Sequence, residues 1–98
     1  MPMFEVRATE VFRQWIEGLA DKVTTAIILR RIDRVRAGLF GDVKPVGDGV
    51  SELRIAYGPG YRVYFVRRGK ALILLLCGGD KSSQNRDIKK AKEMVAKL

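Results

Sequence analysis

The stretch Ser51-Glu52-Leu53-Arg54-Ile55-Ala56-Tyr57-Gly58-Pro59-Gly60-Tyr61-Arg62-Val63-Tyr64-Phe65-Val66 decides how this chain folds. From Ser51 to Tyr57 its apolar and polar residues alternate, the period of a β-strand. Leu53, Ile55 and Tyr57 face one way, and Glu52, Arg54 and Ala56 the other. Gly58-Pro59-Gly60 supplies a turn, and Tyr61–Val66 returns as the antiparallel partner. In the plain register through that turn, Arg54 lies across from Tyr64 and Ala56 across from Arg62. Arg54, Arg62 and Tyr64 then share the sheet face that does not hold Leu53 and Phe65.

Downstream, Arg68-Gly69-Lys70 turns the chain into Ala71–Cys77, a run apolar on both faces that fits a central strand covered on both sides. Gly78-Gly79 ends it. Ser82 or Ser83 then caps a last helix whose stripe is Ile88, Ala91, Val95 and Leu98. Upstream, Val43–Val46 reads as a short strand among glycines, and before Gly38 the period changes to 3.6. Thr9 is an N-cap for a helix with Phe12, Trp15, Ile16 and Leu19 on one face. A second helix from about Lys22 to Ala37 carries Ile28, Ile32 and Val35, widened by Ile27 and Leu29. The short connection Gly18–Asp21 joins the two as an antiparallel hairpin. Phe4–Arg7 alternates as a first short strand. The order β-α-α-β-β-β-β-α predicts an α+β fold: a mostly antiparallel sheet of four to five strands, an N-terminal helix hairpin packed on it, and a C-terminal helix. All 98 residues fit one domain, 1–98.

Composition removes several chemistries. With no histidine there is no Ser-His-Asp triad, Cys-His dyad or HExxH zinc site, and a lone cysteine, Cys77, forms no internal disulfide. Cys77 ends a buried strand and is expected to pack rather than react. Asp42, Asp48, Glu52 and Asp80 are too scattered to argue a metal site, and no motif asks for a cofactor. The longest apolar run falls far short of the roughly 20 residues that span a bilayer, so a soluble cytoplasmic protein is expected. The net charge of +8 is spread over the body with no basic tail. A field of this sign favours phosphate-rich partners, although a merely soluble basic protein would carry it too.

Arg54, Arg62 and Tyr64 on one face would make a phosphate-and-base surface, since arginine grips phosphate bidentately and a tyrosine ring offers a stacking plane. The same residues on a solvated face would do nothing further. Lys44 lies in the glycine-flanked Gly41–Gly47. Lys81 lies in Gly78-Gly79-Asp80-Lys81-Ser82, a strand-to-helix turn whose amides suit an anion but lack P-loop spacing.

The segments Gly41–Ile55 with its Glu52-Leu53-Arg54-Ile55, Gly58–Phe65 with its GPGYRVYF, and Leu75–Gln84 with its GGDK, in that order, resemble the phage-derived, Gp49-like and HigB-like addiction-module killer proteins of the RelE/HigB/ParE toxin superfamily. The resemblance spans nearly the whole chain. It implies a type II toxin neutralised by a cognate antitoxin protein. It also implies ribosome-dependent cleavage of mRNA by 2′-hydroxyl attack, leaving a 2′,3′-cyclic phosphate and inhibiting translation. The alternative is a non-catalytic ParE-like toxin that binds DNA gyrase. Arg54, Arg62 and Lys81 match basic positions of RelE-type toxins, and Lys44 is carried over from an earlier segment. The histidines of HigB and the C-terminal tyrosine of many members are absent. Lys44 or Lys81 is therefore taken as the base, with Tyr64 as the other proton shuttle, and Arg54 and Arg62 stabilise the phosphorane. Arg62→Ala should then abolish activity and leave the fold intact.

Overall fold

The computed structural model describes residues 3–98. Its elements are β1 (Glu5–Ala8), α1 (Glu10–Glu17), α2 (Lys22–Arg36), β2 (Val43–Gly47), β3 (Val50–Ile55), β4 (Tyr61–Arg68), β5 (Leu72–Gly79), a single 3₁₀ turn (Lys81–Ser83) and α3 (Gln84–Ala96). The five strands form one sheet in the order β1-β5-β4-β3-β2. β1 runs parallel to β5, and the other three pairings are antiparallel. The expected α+β architecture is the observed one, and among the described residues no helix is long and apolar enough to cross a membrane.

Each sheet face is covered by helix. Leu53, Ile55, Val63, Phe65, Ile73 and Leu75 bury against Phe12 of α1 and Ile28, Ile32 and Val35 of α2, with Trp15 and Ile27 packed at the margin. On the opposite face Val50, Tyr64, Val66, Leu76 and Cys77 bury against Ala91 of α3. These are the stripes expected from helical spacing. At the edges the stripes were drawn too wide, because Leu29 and the terminal Leu98 stand exposed. A bulge opposite Tyr64 and Phe65 gives β5 one extra residue, so Leu76 and Cys77 both reach the α3 face. Thr9, the N-cap of α1, donates its hydroxyl to the Leu76 carbonyl at 2.6 Å and accepts from the Phe12 amide, so one side chain closes the bulge and starts the helix.

Two local expectations need correcting. Ile55 pairs with Tyr61, so the β3–β4 connection is five residues long and Arg54 faces Arg62, while Glu52 faces Tyr64. Ala56 and Tyr57 leave the ladder, and the Tyr57 amide bonds back to the Ile55 carbonyl. Parity survives this two-residue shift, so the face assignment stands while the partners change. At α3 neither serine caps by accepting from an N-terminal amide. Asp80 caps the preceding 3₁₀ turn by accepting from the Ser82 amide, and Ser83 instead donates its hydroxyl to Asp87.

Candidate functional site

The face shared by Arg54, Arg62 and Tyr64 is the α3 face, so most of it is covered rather than solvated. Only its end, beside the β3–β4 connection, stays open. There Asp42, Arg54, Ile55, Ala56, Gly60 and Arg62 line a shallow depression of about 190 Å³. Lys81 joins from the turn before α3. A Cβ built on Gly60, whose φ is +80°, would lie 3.5 Å from the Lys81 Cβ, so a residue without a side chain lets the two segments approach. Two of the cations singled out in the sequence thus line the depression, and the turn that carries the third, Lys81, lies against its Gly60 wall.

Their degree of exposure differs. The Arg54 side chain is 37% exposed, with its Nη1 3.9 Å from Asp42 Oδ1. Arg62 is nearly buried, and its Nη1 donates to Glu52 Oε1 at 2.8 Å. Among the described residues no buried side-chain nitrogen or oxygen lacks a partner, and Arg62 is one of the residues that line the depression. Lys81 is exposed. Lys44 is exposed on the edge strand β2, opposite Glu52, and lies outside the lining of the depression.

Tyr64 requires a correction. Its ring is 0% exposed, so it offers no stacking plane to a base. Its hydroxyl donates to Glu52 Oε2 at 3.1 Å, and burial, followed by the Glu52 charge, pushes the phenol far above its ordinary range. A group so buried and so weakly acidic is a poor shuttle for a substrate proton. Among the described residues Tyr57, on the β3–β4 connection, is an exposed aromatic side chain, at 38%.

Glu52 is the residue that sequence reasoning passed over. It is 0% exposed, and its carboxylate meets Arg62, Arg54 Nε at 3.3 Å, Tyr64 and Gln84 Nε2 at 2.8 Å. A carboxylate inside a strand, on the same parity as Arg54, was the available signal. What it lacked was the knowledge that α3 covers that face.

Two supports hold the site from behind. Arg31 of α2 donates to the Arg54 carbonyl at 2.6 Å and to the Phe40 carbonyl at 3.0 Å, tying the loop before β2 to β3, and desolvation lowers its pKa. Asp87 of α3 is buried, accepts from Ser83, and its carbonyl lies 3.7 Å from the Cys77 sulfur. Burial, then the Asp87 charge, pushes the Cys77 thiol up to about 11 from an ordinary 9.0. A folded-state pKa raised in this way leaves stability untouched below about pH 9 and removes it as pH rises through 11. The loss is up to roughly 2–3 kcal/mol. Urea unfolding between pH 8 and pH 11 should show that decline, and Cys77→Ala should flatten part of it. An equally steep decline in the alanine variant would remove the thiol as its source.

A larger concavity lies elsewhere, along α2. About 540 Å³ in volume, it is lined by Val23, Ala26 and Ile27 together with Lys22, Arg30, Arg31 and Arg34. Among the described residues no three His, Cys, Asp or Glu side chains gather as a metal site would require.

The family model of phage-derived Gp49-like proteins (DUF891) matches residues 14–96. An uncharacterized protein of Haemophilus influenzae is 46% identical over 94 residues, covering 96% of this chain and 95% of the relative. Among solved structures, a chain of the toxin–antitoxin complex RelBE2 of Mycobacterium tuberculosis matches with a TM-score of 0.64 and 18% identity, over 84% of this chain and 95% of that one. The conserved hypothetical protein HP0894 of Helicobacter pylori matches with a TM-score of 0.54 and 19% identity, over 82% and 97%. At such identities the two structures speak for a shared fold.

Proposed function

We propose, since the chain belongs to the phage-derived Gp49-like family, that it is the toxin of a toxin–antitoxin pair and that it cleaves messenger RNA on the ribosome. The observation that carries this reading is that Arg54 and Arg62 line one depression at the β3–β4 end of the sheet, with the Lys81 backbone turn beside its Gly60 wall. Two guanidinium groups suit the non-bridging oxygens of a backbone phosphate, whose negative charge grows as the pentacoordinate phosphorane forms. The adjacent 2′-hydroxyl of RNA is the nucleophile. Its proton passes to the Lys81 amine, the 2′-oxygen–phosphorus bond forms, and the 5′-oxygen–phosphorus bond breaks. Lys81 then returns the proton to the departing 5′-oxygen. The products are a 2′,3′-cyclic phosphate and a 5′-hydroxyl, with no external reactant consumed. Lys44, set apart on β2, contacts the neighbouring backbone in this scheme and takes no part in proton transfer.

A depression of about 190 Å³ holds little more than one phosphate and its sugar. It cannot by itself stretch a messenger into the in-line geometry the attack needs, and positioning contributes much of such a rate. The ribosome, which presents single codons in an extended form, supplies what the shallow site lacks. The antitoxin partner rests on the relative described as a toxin–antitoxin complex. The α2 concavity, lined by both apolar and basic side chains, fits an acidic amphipathic segment of such a partner.

The test is to induce the protein alone in a bacterial host and map transcript 5′ ends, with DNA supercoiling read from the same cells. Cuts inside translated codons, bearing 5′-hydroxyls and lost on Arg54→Ala, are the expected result. Intact transcripts with altered supercoiling would replace this reading with a gyrase-binding toxin.

A further inference from the structure

Arg54 and Arg62 are direct cross-strand partners, an arrangement in which like charges repel. What lies between them is one oxygen of Glu52. Its Oε1 accepts from Arg62 Nη1 at 2.8 Å and sits 3.3 Å from Arg54 Nε. The other oxygen, Oε2, takes two neutral donors, the Tyr64 hydroxyl at 3.1 Å and Gln84 Nε2 at 2.8 Å. Tyr64 pins the carboxylate from β4. Gln84 opens α3, immediately after the 3₁₀ turn that carries Lys81. One buried carboxylate therefore touches both arginines and the helix whose first residues follow Lys81.

Burying such a charge is expensive, and an apolar residue of similar size would often hold a sheet as well. The neighbours on this face, Val50 and Val66, show that apolar residues pack here. Glu52 thus contributes something an apolar residue could not: a fixed spacing of two guanidinium groups that would otherwise spring apart.

We propose that Glu52 is a positioning residue, whose carboxylate sets Arg54 and Arg62 as a two-guanidinium fork for one phosphate and, through Gln84, fixes the Lys81 turn beside them. Its catalytic consequence rests on the nuclease reading above, but its structural consequence does not. Glu52 is sealed from the depression and touches no substrate; it acts through the arginines.

The experiment compares the full-length protein with Glu52→Gln and Glu52→Asp. Glutamine keeps the shape and one acceptor oxygen but loses the charge, and Gln84 can turn its amide to suit. In protein labelled with ¹⁵N-arginine, the Arg54 and Arg62 Nε–Hε signals of the wild type should be resolved and should move on titration with inorganic phosphate. In Glu52→Gln both should collapse toward the position of free surface arginines and lose that response. In a ribosome-programmed cleavage assay kcat should fall about 100-fold, the scale of a small misplacement. KM should change far less than kcat, because the fork is a small part of the surface that holds a ribosome-bound message. Glu52→Asp should recover part of kcat.

Resolved and phosphate-responsive arginine signals in Glu52→Gln would overturn the proposal. A drop in activity that merely tracks the folded fraction, with no separation of kcat from KM, would do the same. If the wild type cleaves no RNA, the nuclease reading falls on its own, and the arginine spectra still decide whether Glu52 sets the fork.

Discussion

Arg62→Ala is expected to lower the unfolding free energy by about 3–5 kcal/mol, the usual cost of leaving a buried charge without its partner. This reverses the sequence-based expectation that the substitution would spare the fold. Arg62 is the second residue of β4, with its side chain only 10% exposed and its Nη1 on a carboxylate that is fully buried. Removing it leaves Glu52 with Arg54 at 3.3 Å, Tyr64 and Gln84, of which only Arg54 carries a charge. Under the proposed function, loss of activity in Arg62→Ala therefore says little about chemistry. The informative variant is the pair Glu52→Gln with Arg62→Met, which removes both charges and keeps the volume. It should recover most of the lost stability, because a buried ion pair replaced as a unit is often close to neutral. Cleavage should remain absent in the pair. Urea unfolding of the two single variants and the pair gives the coupling directly. A single Arg62→Ala that costs under 1 kcal/mol would mean that Glu52 finds water or another partner, and that the ion pair is looser than its 2.8 Å contact indicates.

The fold was legible because periodicity is a local property. Phe12, Ile28, Ile32, Val35 and Ala91 are buried where helical spacing places them, and Leu53, Ile55, Val63 and Phe65 share one face as strand parity requires. Parity also grouped Arg54, Arg62 and Tyr64 correctly. Exposure is a different kind of fact, since it depends on which distant segment covers a face. The C-terminal helix was read as a helix, but nothing in its own spacing says that it packs over Tyr64, Val66 and Cys77. For that reason a tyrosine read as a stacking platform is a sealed phenol. By the same route a scattered acidic residue, Glu52, is the hub of the site. The register error arose similarly: Gly58-Pro59-Gly60 announces a turn but does not count its residues, and two more, Ala56 and Tyr57, belong to it. Lys81 was singled out because a glycine-rich strand end followed by a helix is a local signal. Its approach to Gly60 was not, because that contact joins segments 21 residues apart in sequence.

Gly79→Ala should unseat the first turn of α3. A Cβ on Gly79 would sit 1.8 Å from Asp87 Oδ2 and 2.8 Å from Ser83 Oγ, closer than any packed pair of atoms tolerates. Gly79 also pairs with Arg62 in the β4–β5 ladder, so the strand cannot retreat without disturbing the fork. Backbone torsion is not at issue, because Gly79 is not among the residues with positive φ. The close approach alone requires glycine. Overpacking of this kind costs about 1–3 kcal/mol. The route of relief decides the functional outcome. If α3 shifts, Gln84 leaves Glu52, the Lys81 turn moves with it, and cleavage falls even in the folded population. If only the Asp87 side chain swings out, the Ser83 contact is lost and the site is spared. The double variant Gly79→Ala with Asp87→Ala separates these outcomes, since it removes the carboxylate the new methyl group strikes. Its cost should fall short of the two single costs added together by about 1 kcal/mol or more, the signature of residues in direct contact. Additive costs would mean that the new methyl group collides with the α3 backbone rather than with Asp87, and activity should then stay low in the double variant as well.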